Sequence, residues 1–332
     1  MGEKKLIERL RQRLTEAGLR AGVVADMGDD TAALQQPNSD KLLLFTCDML
    51  VEDIHFRRQW PGFTWEKLGW KALAINISDI AAMGGRPTYA LISLALSGNT
   101  EVDCIDQLYS GLLRCAQEYG VIIIGGDSVG SEQGVVIDVS LLGEVEKDRL
   151  IRRSGARPGE LIAVTGPLGA AAAGLHILEQ GDPSPEKGEE LIAALLEPKP
   201  RLAEGQALAA TNLVTAMMDL SDGLADDLPR LCQESKVGAK ILADEIPAHP
   251  ACQEAGLDGL EYALRGGEDY ELLFTFAGDN LSAITSALEK AGFSPPLVVG
   301  EILRPEDGIQ VHRPDGSTSP LPEGFKHFQS TA

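Results

Sequence analysis

The chain has 332 residues, 44% of them hydrophobic and 24% charged, and carries a net charge of −21 at neutral pH. That length exceeds what one hydrophobic core usually serves, so two domains of about 150 residues are expected. The acidic balance excludes nucleic acid and anionic membrane as partners, and an anionic substrate would have to be met through divalent cations.

Residues 3–17 read as an amphipathic helix with Leu6, Ile7, Leu10 and Leu14 on one stripe. The opening residues contain no apolar signal core, and no later run nears the roughly 18 residues that span a bilayer. The five cysteines (Cys47, Cys104, Cys115, Cys232, Cys252) form no C-x-x-C pair. A reduced, cytoplasmic protein is expected from these features. A loop around Gly28-Asp29-Asp30 leads into a short strand over residues 31–34. Leu42 to Phe45 is a continuous apolar run, predicted as a strand buried on both faces, and it leads to Asp48.

Thr64 to Met83 is the strongest predicted helix: Thr64 can cap it, and Gly84-Gly85 with Pro87 supplies a stop. Ala72, Asn76, Asp79 and Met83 fall on one stripe, so two polar side chains lie among apolar or small ones and need partners. At this point a metal and a hydrogen-bonded core position are equally open for Asp79. A strand over 88–96, a helix over 103–119, a buried strand over 121–124 leading to Gly125-Gly126-Asp127, and a strand over 135–142 follow. The basic, Gly/Pro-punctuated segment 143–160 carries the domain boundary, dividing the chain into 1–148 and 149–332.

The second half begins with a strand over 161–165, a turn at Gly166-Pro-Leu-Gly169 and a helix to about residue 178. An exposed loop (181–190) and a helical stretch over 191–210, broken near Pro198 and Pro200, come next. A strand runs into Asp219, and Ser221 is expected to cap a helix with Leu224, Leu228 and Leu231 inward, its N-terminus suited to a phosphate. Gly267-Glu268-Asp269 precedes an apolar strand, the glycines leaving room for a ligand at the backbone. A helix (281–291), a strand (297–303) and a tail containing Phe325 complete a layered α/β or α+β pattern.

No G-x-x-x-x-G-K-[ST], G-x-G-x-x-G or H-E-x-x-H occurs, which removes the P-loop, dinucleotide and zinc-peptidase readings. Acids instead gather where strands end, at Asp26, Asp29, Asp30, Asp48, Asp127, Asp219, Asp222 and Glu268-Asp269. Hard oxygen donors without imidazole point to several Mg²⁺ ions. Arg152-Arg153 reads by default as a solvated pair and His55 as a structural histidine. In an acidic protein that handles phosphate, one arginine becomes a bidentate phosphate contact.

Seven ordered blocks then carry a resemblance: Gly-Asp-Asp (28–30), Thr-Cys-Asp-Met-Leu-Val (46–51) with His55, Lys-Ala-Leu-Ala-Ile-Asn-Ile-Ser-Asp-Ile-Ala-Ala-Met-Gly (71–84), Ile-Gly-Gly-Asp (124–127), Arg-Ser-Gly-Ala-Arg-Pro-Gly (153–159), Asp-Leu-Ser-Asp-Gly-Leu (219–224) and Gly-Gly-Glu-Asp-Tyr-Glu-Leu (266–272). In that order and spacing they resemble the thiamine-monophosphate kinase family, within the wider group of ATP users that includes aminoimidazole ribonucleotide synthetase. The resemblance implies a two-domain α+β fold: an N-terminal mixed α/β domain whose sheet closes a barrel with its twin in a homodimer, and a C-terminal α/β domain. It implies transfer of the ATP γ-phosphoryl group to thiamine monophosphate, dependent on Mg²⁺, with ATP between the domains. By carry-over Asp30, Thr46, Cys47, Asp48, Asp79, Asp127, Asp219 and Asp222 fall at metal positions. Tyr109, Gly126, Asp127, Arg153 and Ser221 fall at nucleotide positions, and His55, Glu268 and Phe325 at acceptor positions. Asp48, Asp127 and Arg153 are then the catalytic candidates. Cys47 and Ser128 each replace a frequent Thr, and a thiol is a poor Mg²⁺ ligand, so Cys47 would contribute its carbonyl. A Mg²⁺-dependent phosphohydrolase, a non-catalytic nucleotide binder and another ATP-using member of the group are the competing readings.

Overall fold

Alternation of side chains governs the strand at the centre of the first sheet. After α1 (Glu3–Glu16), β1 (Val23–Ala25) and β2 (Ala32–Gln35), β3 (Lys41–Val51) buries Leu42, Leu44 and Leu50 on one face and leaves Phe45 and Met49 exposed on the other. The expectation of a strand buried on both faces is thereby corrected: a continuous apolar run is here a one-sided strand. α2 (Trp65–Ala82), β4 (Arg86–Ser97), α3 (Val102–Tyr119), β5 (Ile122–Ser131) and β6 (Val136–Glu146) complete a six-stranded sheet of order β1-β2-β3-β6-β4-β5. All its pairings are antiparallel except β4–β5. β5 is an exposed edge strand that runs through Gly126 and Asp127 to Ser131, in place of the expected buried strand ending at Asp127. This sheet is open, with β1 and β5 as its edges. The computed structural model describes residues 3–18, 21–180 and 188–322, so Phe325 lies outside the described residues.

α2 is the axle of the molecule. Thr64 Oγ1 accepts the Lys67 amide at 3.1 Å, and Gly84, at φ +69°, turns the chain out after Met83. Between these stops the helix is buried almost all round, because β3 and β6 lie against one side, α3 against another, and elements of the second half against the rest.

The second half comprises β7 (Glu160–Val164), α4 (Ala170–Gln180), α5 (Glu189–Leu196), α6 (Leu202–Thr211), β8 (Val214–Asp219), α7 (Leu224–Ser235) and β9 (Gly238–Leu242). It continues with α8 (Pro250–Glu254), α9 (Gly259–Arg265), β10 (Leu272–Ala277), α10 (Leu281–Lys290), β11 (Leu297–Leu303), β12 (Ile309–His312) and β13 (Thr318–Pro320). Its seven-stranded sheet has the order β13-β12-β9-β11-β7-β10-β8, which places β8, ending at Asp219, on the edge that meets α2. α7 starts at Leu224 with Gly223 as its cap residue, two residues later than the cap expected at Ser221. No helix among the described residues is long and apolar enough to cross a membrane.

The α2–α3 crossing brings backbones together at Gly69 and Gly111; a Cβ on Gly111 would lie 1.7 Å from the Glu66 carbonyl oxygen. Alanine is favoured over glycine in a helix by about 1 kcal/mol, yet overpacking against a rigid backbone costs about 1–3 kcal/mol. The clash wins, because a carbonyl of α2 cannot yield without moving the helix. Gly111→Ala should therefore lower the urea midpoint, with a net loss of up to about 2 kcal/mol at unchanged m-value.

Candidate active site

Strand pairing explains why the acids converge. β2 accompanies β3 only as far as Phe45, so the edge of β3 beyond it lacks a strand partner. There Asn76 Oδ1 accepts the Asp48 amide at 3.0 Å, while Asn76 Nδ2 donates to the Ala72 carbonyl at 3.0 Å. Asp30 arrives just ahead of β2, Asp79 projects from α2, and Asp219 is the last residue of β8. Carboxylate oxygens of these three residues all lie within 4.8 Å of one another. Thr46 Oγ1 donates to Asp79, Ser78 Oγ donates to Asp219 Oδ2 at 2.6 Å, and Arg153 Nη2 donates to Asp30 Oδ1 at 2.5 Å. Asp30 Oδ2 and Asp219 Oδ1 are buried and find no hydrogen-bond partner among the described residues.

Such an arrangement is electrostatically costly. Two unit charges at this spacing repel by about 3–4 kcal/mol at an effective dielectric of ~20. No salt bridge among the described residues reaches Asp48, Asp79 or Asp219; Arg153 pairs with Asp30, and Arg230 with Asp222 at 2.5 Å and Asp227 at 3.1 Å. Burial, reinforced by Asp222, Asp138 and Asp30, pushes Asp48 up to about 6. Burial, then Asp48 and Asp219, holds Asp79 well above the carboxylate range, and burial with Asp30 does the same to Asp219. Burial opposes the charge on Arg153, but Asp30, Asp219 and Asp227 outweigh it and raise its pKa. Orphaned carboxylate oxygens in a cluster with too little positive charge fit a hard divalent cation.

The remaining predicted residues are placed as follows. Cys47 faces the open side of the sheet, where its Sγ–H donates to Asp138 Oδ1 at 3.0 Å. Burial and Asp138 push that thiol up to about 11, so it stays protonated and unsuited to a hard cation. Asp127 shares the register row of Ser93, Asp138 and Met49 across the open face, and its Oδ1 accepts the Ser128 amide at 2.8 Å. It is exposed and stands outside the Asp30–Asp79–Asp219 group. Gly126 lies beside Ile92, whose carbonyl oxygen a Cβ would meet at 1.7 Å; the sheet itself requires glycine there. Tyr109 is half-buried on α3 against the core. His55 Nδ1 accepts the Val51 amide at 3.1 Å, which places the proton of the neutral ring on Nε2.

The segment from Gly266 to Tyr270 differs most from its sequence reading. Its glycines admit a neighbouring loop: a Cβ on Gly267 would meet the Ser221 carbonyl at 2.5 Å, and one on Gly223 the Gly266 carbonyl at 2.2 Å. Glu268 N donates to Ser221 O at 2.8 Å and Tyr270 N to Leu220 O at 3.0 Å, holding both residues in the left-handed region (φ +66° and +53°). Glu268 Oε1 lies 2.9 Å from Nζ of Lys71, an α2 residue only 2% exposed; the contact is ionic, without an aligned hydrogen bond. Asp269 points the other way and caps α4, accepting the Gly169 amide at 2.7 Å. At the start of α7, Asp227 Oδ2 accepts the Asp222 and Gly223 amides, both at 2.9 Å. Lys71, Ser78, Asp138 and Tyr270 surround the acids without having been assigned roles from sequence. Lys71, Ser78 and Tyr270 lie inside the resembling blocks, whereas Asp138 stands outside all of them and has no sequence signal.

Two family models match this chain: the AIR synthase related protein N-terminal domain over residues 28–145 and its C-terminal domain over residues 157–312. The thiamine-monophosphate kinase of Aquifex aeolicus is 36% identical over 99% of this chain and 98% of its own length. That of Escherichia coli K12 is 35% identical over 98% of both. The chain belongs to the thiamine-monophosphate kinase family. Members of this family are ATP-dependent kinases. A solved structure described as AaThiL complexed with AMPPCP and TMP superposes with a TM-score of 0.82 at 35% identity, covering 98% of this chain and 97% of that one. The thiamine-monophosphate kinase of Stenotrophomonas maltophilia gives 0.76 at 35% identity, with 95% and 96% covered. Hydrogenase maturation proteins at 19% identity share the fold.

For a kinase-family site of this kind, the raised carboxyl pKa values set a direction with pH. Folded Asp48, Asp79 and Asp219 hold protons that the unfolded chain, at about 3.9, has already released. Their stabilising contribution is complete below that value and is lost as pH rises through the folded pKa values, starting near 6. With chelator present, the melting temperature should fall between pH 5.5 and pH 8. Mg²⁺ should restore it, more at pH 8 than at pH 5.5. A Mg²⁺ shift of equal size at both pH values would contradict a proton-linked cation site.

Proposed function

We propose that this chain transfers the γ-phosphoryl group of ATP to thiamine monophosphate, giving thiamine diphosphate and ADP, by direct in-line displacement in the cytoplasm. The observation that carries the reading is the acid cluster with two orphaned oxygens, Asp30 Oδ2 and Asp219 Oδ1, in a chain that aligns with its kinase relatives from end to end. Asp30, Asp48, Asp79, Asp219 and Asp222, with Thr46, the Cys47 carbonyl and Asp127 on the edge strand, would hold the Mg²⁺ ions. When bound, those ions neutralise phosphate charge and template the displacement.

The chain's own residues then have few chemical tasks. The acceptor phosphate has its second pKa near about 6, so it arrives largely deprotonated and needs no general base. Arg153, already turned toward the acids, binds the nucleotide with Ser221, Gly126 and Tyr109. His55, with its proton on Nε2, donates to the acceptor phosphate. The Glu268 carboxylate faces the cationic ring, and Phe325, at an acceptor position by resemblance, would cover that ring.

Residues 1–148 form the nucleotide and dimerisation domain in this reading, and 149–332 the second domain. The open face of the first sheet exposes Phe45, Met49, Tyr89, Leu91, Ile122 and Val129. A second copy covering that face would close the sheet into a barrel and remove both the apolar surface and the free β5 edge.

Three tests bear on this reading. ADP release measured with and without thiamine monophosphate should require the acceptor; ATP turnover without it would point to a phosphohydrolase. Arg153→Ala should lower turnover at least about a hundredfold, since a charge-stabilising contact in a water-poor site is worth several kcal/mol, whereas Arg152→Ala should change it little. The wild-type chain should sediment as a dimer and Leu91→Arg as a monomer, because a buried guanidinium on an apolar interface lacks a partner.

A further inference from the structure

Arg153 is held from its main chain as well as its side chain. Its amide donates to Asp29 Oδ1 at 2.8 Å, and its guanidinium donates to Asp30. The carbonyl of the same residue accepts from Ser235 Oγ at 2.8 Å. That hydroxyl also accepts the Gly155 amide at 3.0 Å and the Ala156 amide at 3.1 Å. One side chain therefore uses its donor and both acceptor positions on three consecutive links of the Arg153–Ala156 turn. Ser235 is the last residue of α7, where Lys236, at φ +57°, turns the chain away and leaves the hydroxyl aimed at this turn. The turn has no slack on its other side, since a Cβ on Gly155 would meet the Thr215 carbonyl oxygen at 2.2 Å.

We propose that Ser235 is a positioning residue for Arg153: it fixes the turn that aims the guanidinium, and so acts on the nucleotide half of the site. The inference rests on the reading of Arg153 as a nucleotide contact. It follows from the geometry of the turn. Without the hydroxyl, two amides and one carbonyl lose their partner at once, and only water can replace it, with no fixed geometry. Among the described residues the turn would then keep Asp29 on the Arg153 amide and Met217 on the Arg152 carbonyl, and it could tilt about those two bonds, leaving Asp30 alone to aim the guanidinium. Small displacements of a charge-stabilising group cost rate out of proportion to their size. The acceptor half of the site, built on β3, α2 and the Gly266–Tyr270 segment, receives no hydrogen bond from Ser235.

The test is steady-state kinetics on Ser235→Ala, Ser235→Thr, Arg153→Ala and Ser235→Ala/Arg153→Ala, each substrate varied in turn. Binding of a non-hydrolysable ATP analogue with Mg²⁺, followed by calorimetry, serves as a second readout. Ser235→Ala should lower kcat/KM for ATP about tenfold, leave KM for thiamine monophosphate within about twofold, and be rescued by Ser235→Thr. In the Arg153→Ala background the same change should have almost no further effect on kinetics or analogue binding, because the residue acts through that arginine. An undiminished loss in that background, or a lower melting temperature with unchanged ATP kinetics, would reduce Ser235 to a stabiliser of the fold and overturn the proposal. If Arg153→Ala itself leaves ATP kinetics intact, the nucleotide reading of Arg153 fails first and Ser235 falls with it.

Discussion

Uncompensated negative charge is the constraint on which this structure turns. Asp30, Asp79 and Asp219 crowd their oxygens within 4.8 Å, and Asp48 adds to the repulsion felt by Asp79. Neutral donors soften this without cancelling it: Thr46 and Ser78 each satisfy one oxygen, and Arg153 brings one positive charge. The rest of the fold has to hold these groups together against their own field. It does so with α2, the helix that carries Asp79, which is buried between two sheets and three helices. If cations fill such a cluster, as proposed above, the stability of the protein and the filling of its site become one linked equilibrium.

The backbone around the site is set by direct contact between main chains. The loops Leu220–Gly223 and Gly266–Tyr270 exchange hydrogen bonds and pass so closely that neither Gly223 nor Gly267 has room for a side chain. Glu268 and Tyr270 take left-handed conformations that cost about 1–3 kcal/mol each and are held there by those bonds. Strain of this kind aims adjacent side chains in opposite directions, which is why Glu268 reaches Lys71 while Asp269 caps α4.

Elements whose local signals agree were legible in the sequence. The helix from Thr64 to Met83 has a cap, a period and a stop that all point the same way, and its polar stripe at Asn76 and Asp79 does face the site. The run Val121 to Ile124 was misread as buried because an apolar strand shows that it needs cover, not which molecule provides it; in a single chain Ile122 and Ile124 are exposed. Ser221 was misjudged for a different reason. Whether a serine caps a helix depends on where the helix starts, and here Gly223 takes the cap position ahead of Leu224. Small elements such as β9, α8, α9, β12 and β13 had no expectation at all, being too short to show a period. Ser235 had no sequence signal, because its role is defined by three main-chain atoms some 80 positions away.

The two halves of the chain meet the site through one face of α2. Lys71 and Ser78 are seven residues apart, about two helical turns, and so point the same way. Lys71 reaches Glu268 at 2.9 Å and Ser78 reaches Asp219 at 2.6 Å. Both contacts are buried or nearly so on the α2 side, and both end on carboxylates of the second half. A buried ammonium is worse for stability than an apolar residue of its size unless its partner is kept in place. Separating the halves would strand Lys71 without its counter-charge and expose the α2 face that the second half covers. The acids are therefore assembled before any ligand arrives, and the charge that repels within each half is tied together by the same helix that carries Asp79. Preorganised charge of this kind needs no rearrangement at the moment of reaction, so the energetic cost of gathering the carboxylates is met once, during folding.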